Sequence, residues 1–131
     1  MFMNISVEYP ALGTHQATFT RLDVCPRPDH VVEVNLTGDE LTALPSVTHK
    51  PDFYCYGVRH RPVDSCIESK TFKLLIGSFH EQAAFVETLA NDVATLVHAA
   101  AGDGTEVTMS QRVLVGVSIT ARAAILGPIG N

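Results

Sequence analysis

The stretch "LPSVTHKPDF" (Leu44–Phe53) ends like the mouth of an enzyme site, with Pro51 stiffening the chain and Asp52 opening an apolar run. An aspartate after a proline at a strand start also serves as a plain turn cap. The other groups with chemistry in them are thiols, imidazoles and a few charges. Cys25, Cys55 and Cys66 are odd in number and form no CxxC pair, which reads as reduced thiols in a cytoplasmic protein. Cys55 falls in a β-prone run, where a small buried cysteine is the common outcome. Six histidines, His15, His30, His49, His60, His80 and His98, are scattered with no HExxH among them. Cys55, His60 and Cys66 could meet in space, but they lack the ligand spacing of a zinc site, so no metal is expected. By themselves Lys70 and Lys73 read as helix solubility, and Glu87 as a solvated carboxylate on an amphipathic helix.

A small domain must position these groups. The chain has 131 residues, read as one domain over 1–131 with residues 1–28 as an N-terminal arm. Such a length can bury a core without disulfides. Apolar residues make up 46% against 18% charged, and apolar surplus in a small domain often ends in subunit interfaces. The net charge of −5 argues against a protein built to grip nucleic acid. No apolar stretch approaches the length of about 18 residues that a membrane helix needs. The start "MFMNISVEYP" has no basic segment followed by a long apolar run, so no signal peptide is expected.

Periodicity sets the elements. Residues 1–28 hold Pro10, Gly13, Pro26 and Pro28 with weak periodicity, and at most a short strand is expected there. "HVVEVNLTG" (His30–Gly38) alternates and ends on glycine, a strand signal. "GDELTAL" (Gly38–Leu44) reads as a turn or helical bend, "DFYCYGV" (Asp52–Val58) as a strand pairing with the first, and "RHRPVDS" (Arg59–Ser65) as a polar loop. Phe72, Leu75, Ile76 and Phe79 keep helical spacing, as do Phe85, Leu89, Val93, Leu96, Val97 and Ala100, with Gly102 and Gly104 as the stop. Thr105–Gln111 and Val113–Leu126 read as two further strands. The order is β-β-α-α-β-β: an α+β fold with a four-stranded antiparallel sheet, two helices on one face, and a free edge at each side.

Longer motifs add a resemblance. "CIESKTFKLL" (Cys66–Leu75) resembles the ESKS-K signature of the QueF-type reductases, NADPH-dependent 7-cyano-7-deazaguanine reductases of the tunnelling-fold (T-fold) superfamily. "SFHEQAAFVETLANDV" (Ser78–Val93) is similar to the family's next stretch, and "LPSVTHKPDF" to its Leu-Cys-Pro-Val-Thr-x-Gln-Pro-Asp-Phe segment. "CPRPDHVVEV" (Cys25–Val34) is similar to its lead into the first strand, so the likeness covers roughly residues 25–122. The resemblance implies a T-fold, a deazaguanine-like substrate and NADPH. It also implies a homo-oligomer built on pentameric rings, with pockets between subunits.

It implies roles as well. The family's substrate glutamate falls on Glu87, whose carboxylate can accept two N–H donors from the edge of a guanine-type ring. Glu68 and Ser69 fall in the turn that contacts the base, and Lys70 and Lys73 would face the cofactor phosphates. Arg112 falls on a cofactor arginine, although Val113 and Leu114 follow it where the family has glycines. Asp52 falls on the general acid, which passes protons to the nitrogen being reduced.

Two positions depart from the pattern. The family's nucleophilic cysteine, which adds to the nitrile as a thioimide, falls on Pro45. Its histidine beside the substrate glutamate falls on Val86. Ser46 follows Pro45, but nothing in the sequence positions His49 as its base. Cys25 opens a segment that mimics the catalytic one but lies some twenty residues too early, and Cys66 reads as structural. The expectation is a protein that binds a 7-cyano-7-deazaguanine-like base and reduces it slowly or not at all. A non-catalytic purine- or pterin-binding module and a structural T-fold oligomer are the alternatives.

Overall fold

Leu89, Val93 and Val97 recur every fourth residue, and all three are buried along one stripe of the longer helix. In the computed structural model, which describes residues 5–8, 16–43, 52–80, 82, 84–112 and 116–128, this helix is α2 (Val86–Ala101). It ends at Gly102, whose φ of 52° lies in the left-handed region that a glycine adopts without steric cost. The shorter helix, α1 (Ser69–Gly77), buries Phe72, Leu75 and Ile76 from the same kind of spacing.

The stripe of α2 lies on a sheet of four antiparallel strands, β4 (Val34–Ala43), β5 (Asp52–Pro62), β7 (Gly102–Arg112) and β8 (Ser118–Pro128), in that spatial order. Strand period shows which face the helices cover. Tyr54, Val58 and His60 on β5 are buried, as are Thr105, Val107 and Met109 on β7. Their neighbours Phe53, Cys55 and Arg59 are exposed on the other face. The expected T-fold architecture is present: β-β-α-α-β-β in chain order, with each later strand beside the earlier one.

Several local expectations differ from the structure. Residues 1–28 carry three short strands rather than at most one: β1 (Ile5–Glu8) pairs with β2 (Gln16–Phe19), and β3 (Val24–Pro26) pairs with β6 (Ser65–Ile67). Phe19, at the end of β2, is only 2% exposed and joins the core. Strands this short leave too few residues for period 2 to show.

The first long strand starts later than read, at Val34, and runs through "GDELTA" to Ala43 instead of turning at Gly38. A bulge absorbs the polar residues. Gly38 faces Tyr56 and Leu41 faces Tyr54, so one extra residue of β4 is accommodated between them. Likewise β5 runs on through "RHRP" to Pro62 where a loop was expected. The last strand begins at Ser118; residues 113–115, read as part of it, lie outside the described residues.

Candidate functional site

Glu68 is the N-cap of α1 and uses both carboxylate oxygens on backbone donors. Oε2 accepts from the Lys70 N–H at 2.8 Å and Oε1 from the Thr71 N–H at 2.9 Å. These two bonds hold its carboxyl below the usual glutamate range. The cap is tied to the preceding ribbon: the Glu68 N–H donates to the Asp23 carbonyl at 2.9 Å, and the Asp23 N–H donates to Thr71 Oγ1 at 2.9 Å. The motif implies a substrate role for Glu68; its capping role is not legible in the sequence, because glutamate is uncommon at an N-cap. Ser69 and Lys70 follow on the first turn, exposed, and Lys73 is exposed one turn on, so the two lysines share a helix face.

Glu87 is exposed in the first turn of α2, where the helix dipole favours a carboxylate. Phe85, the N-cap residue, is 62% exposed, and Val86 beside Glu87 is 2% exposed and belongs to the core. Asp52 opens β5 opposite Ala43, and Arg112 closes β7 opposite Ser118. Pro45, Ser46 and His49 lie outside the described residues.

The structure separates these positions into two groups. Pro62 pairs with Gly102, where α2 ends and β7 begins. Glu68 lines a surface hollow with Ala100, in the last turn of α2, so the Glu68–Ser69–Lys70 turn stands at this end of the sheet. Asp52 and Arg112 stand at the opposite end, about 30 Å away at the rise of an extended strand. α2 runs back from Gly102 for its 16 residues, about 24 Å, which carries Glu87 toward the Asp52 end. His80, between the helices, is fixed at that end too: its Nδ1 pairs with Thr42 Oγ1 at 2.8 Å, and Thr42 faces Phe53. In the sequence His80 is one of six scattered histidines, because only the fold brings it to β4.

The remaining candidates are resolved by strand parity. Cys55 is exposed, not buried as expected, because it points away from the helices, opposite Ser110. His60 lies on the covered face and is fully buried, with Nε2 accepting from the Ile67 N–H at 3.4 Å. Burial pushes its imidazole below the usual histidine range. Cys55 and His60 thus lie on opposite faces of the sheet. Among the described residues no three histidine, cysteine or acidic side chains gather as a metal site. The open face is polar at its centre, where Glu106 pairs with Arg59 at 3.2 Å and with Arg122.

No family model matches the chain. It is 34% identical over 87 residues to the NADPH-dependent 7-cyano-7-deazaguanine reductase of Nitratidesulfovibrio vulgaris (strain Hildenborough), covering 65% of this chain and 51% of that one. It is 42% identical over 62 residues to the reductase of the same name from Syntrophobacter fumaroxidans, covering 47% and 40%. A third such reductase, from Anaeromyxobacter sp. (strain Fw109-5), is 34% identical over 68 residues, covering 52% and 56%. The chain therefore spans about half the length of the curated relatives it matches. Among solved structures, the apo crystal structure of the archaeosine synthase QueF-Like superposes with a TM-score of 0.70 at 21% identity. That alignment covers 76% of this chain and 98% of the other, a likeness of fold. In sequence the chain is similar to 7-cyano-7-deazaguanine reductases over about half of their length, and in fold it is similar to the archaeosine synthase QueF-Like.

Proposed function

We propose that this protein works in 7-deazaguanine metabolism of the queuosine or archaeosine type, as a cytoplasmic QueF-like protein that binds a 7-cyano-7-deazaguanine-like base. The observation that carries the reading is Glu87. It stands in register with the substrate glutamate of the family pattern, and its carboxylate is exposed on the first turn of α2. Two donors on one edge of a guanine-type ring match the two oxygens of such a group.

The covalent step is another matter. Thioimide formation needs a thiolate at the nitrile carbon, and a proline side chain at position 45 has no nucleophilic atom. Cys55 is a poor replacement within one chain, since it lies on the sheet face opposite to α2. The reading is therefore binding with little or no nitrile reduction, with Asp52 in the position of the proton donor.

NADPH, when bound, supplies a hydride. Lys70 and Lys73 fit its phosphates by charge, exposed on one face of α1, and Arg112 is the third candidate by position. The amides at the start of α1 do not add to that site, because Glu68 already occupies two of them.

A site drawing on both groups of residues needs a second copy of the chain. Glu68, Ser69 and Lys70 stand at one end of the sheet and Glu87, Asp52 and Arg112 toward the other. Ring assembly would cover β4 and β8, which are edges among the described residues. Exposed Phe53 and Phe85, at 69% and 62%, supply apolar contact area.

The test is to incubate the protein with 7-cyano-7-deazaguanine and NADPH. Saturable heat of binding without a ligand-mass adduct, and NADPH oxidation orders of magnitude below that of a cysteine-bearing relative, are expected. A covalent adduct with turnover at the relative's rate would contradict the reading.

A further inference from the structure

Cys25 and Cys66 are separated by forty residues of sequence yet face each other directly across the β3–β6 ribbon. The ladder fixes the kind of pair they make. The Arg27 N–H donates to the Asp64 carbonyl at 3.0 Å and the Glu68 N–H donates to the Asp23 carbonyl at 2.9 Å, on either side of the cysteines. Narrow pairs repeat every second residue in an antiparallel ladder, so Cys25 and Cys66 occupy one as well. Their Cα atoms are then about 5.5 Å apart, within the span that a disulfide bridges. Opposite residues of an antiparallel pair project on the same side. The sulfur of Cys25 also lies 3.7 Å from the Cys66 carbonyl oxygen.

We propose that Cys25 and Cys66 form a reversible intramolecular disulfide, a redox modification site at the foot of α1. The partners divide the work by exposure. Cys25 is exposed and Cys66 is buried. Burial and the nearby Cys25 push the Cys66 thiol up, with Arg27 pulling it partly back, so the thiolate is disfavoured at Cys66. The oxidant is a peroxide. The Cys25 thiolate attacks a peroxide oxygen, breaks the O–O bond and becomes a sulfenic acid, while the other oxygen leaves as water after taking a proton. The Cys66 sulfur then attacks the sulfenyl sulfur. The S–S bond forms, the S–O bond breaks, and the hydroxide leaves as water with the Cys66 proton. Two thiols and one peroxide give one disulfide and two waters.

The bond would close beside a working part of the fold. Glu68, two residues beyond Cys66, caps α1 and is already tied to Asp23 through the same ladder. The modification therefore clamps the segment that leads into the Glu68–Ser69–Lys70 turn. Cys55 stands apart on β5 and serves as the internal control.

The experiment treats the full chain with a slight excess of hydrogen peroxide, then alkylates it in denaturant and maps the peptides by mass. The expected product is a Cys25–Cys66 cross-linked peptide two hydrogens lighter than its parts, monomeric on a non-reducing gel and cleaved by dithiothreitol. Its formation raises the midpoint of thermal unfolding. Cys55→Ser still forms it, and Cys25→Ser, a change at an exposed position, loses both the cross-link and the rise. Recovery of Cys66 as a free alkylated thiol while Cys25 is oxidised to sulfinic acid would overturn the proposal. So would a link between Cys25 and Cys55.

Discussion

The side chain of Tyr56 lies against Gly38, so close that a Cβ on Gly38 would stand 2.6 Å from Tyr56 Cζ. The glycine sits at the β4 bulge, and the ring that covers it packs in turn on Phe72 of α1, with centroids 5.9 Å apart. One backbone irregularity thus lets a strand, an aromatic ring and a helix meet.

Gly38→Ala should destabilise the protein by about 1–3 kcal/mol in urea denaturation, the usual cost of overpacking. Tyr56→Ala in the same background should remove most of that penalty, since the clash is with its ring. An additive double mutant would mean that the ring does not hold the glycine in place.

Glu68→Ala should lower the thermal midpoint, because two first-turn amides of α1 lose their acceptors. The pH dependence has a definite sign. A carboxyl held below its unfolded pKa stabilises the fold fully above the usual glutamate range and loses that contribution as pH falls through its folded pKa. The gap between wild type and variant should therefore narrow in acid. A constant gap from neutral pH down to strong acid would contradict the capping role.

How much of this was legible in the sequence depends on length and pairing. The long apolar stripe of α2 and the phenylalanine and leucine spacing of α1 announced both helices, and their stop at Gly102 followed from glycine alone. The extent of β4 did not, because Gly38, Asp39 and Glu40 look like a turn until the bulge against β5 absorbs them. Cys55 was misjudged for a similar reason: composition marks a strand, but only the register says which face its side chain takes. The separation of Glu68 from Asp52 lay beyond sequence reading altogether, since it depends on which sheet end each helix terminus meets.

His60 is fully buried, its Nε2 is engaged by the Ile67 N–H, and its Nδ1 has no partner among the described residues. The folded protein therefore resists protonating it, while the unfolded chain binds the proton near pH 6.5. The unfolded state holds the extra proton, so stability should fall as pH drops below that value, by up to about 1.4 kcal/mol per pH unit for this one group. Urea midpoints of wild type and His60→Gln between pH 7.5 and 5 measure it. The variant should show the shallower slope, and equal slopes would remove His60 as the cause.

If the site is shared between copies, it should reassemble from complementary variants. Glu87→Gln and a Ser69→Ala/Lys70→Ala double variant should each bind 7-cyano-7-deazaguanine weakly. Mixed, dissociated and reassociated, they should recover a fraction of the wild-type binding sites, because some junctions then join two intact halves. No recovery, or a wild-type protein that sediments as a monomer at micromolar concentration, would place the site within a single chain.

The most direct measurement is the affinity of the wild-type protein and of Glu87→Gln for 7-cyano-7-deazaguanine, by titration calorimetry at neutral pH. Glu87 is predicted to accept both donors of the guanine-type edge, and the amide keeps only one acceptor. The variant should therefore bind about 2–5 kcal/mol more weakly, as when a charged hydrogen-bonded pair is broken in an interface. Equal affinity of the two proteins would contradict the account, because the base would then be recognised somewhere other than the first turn of α2.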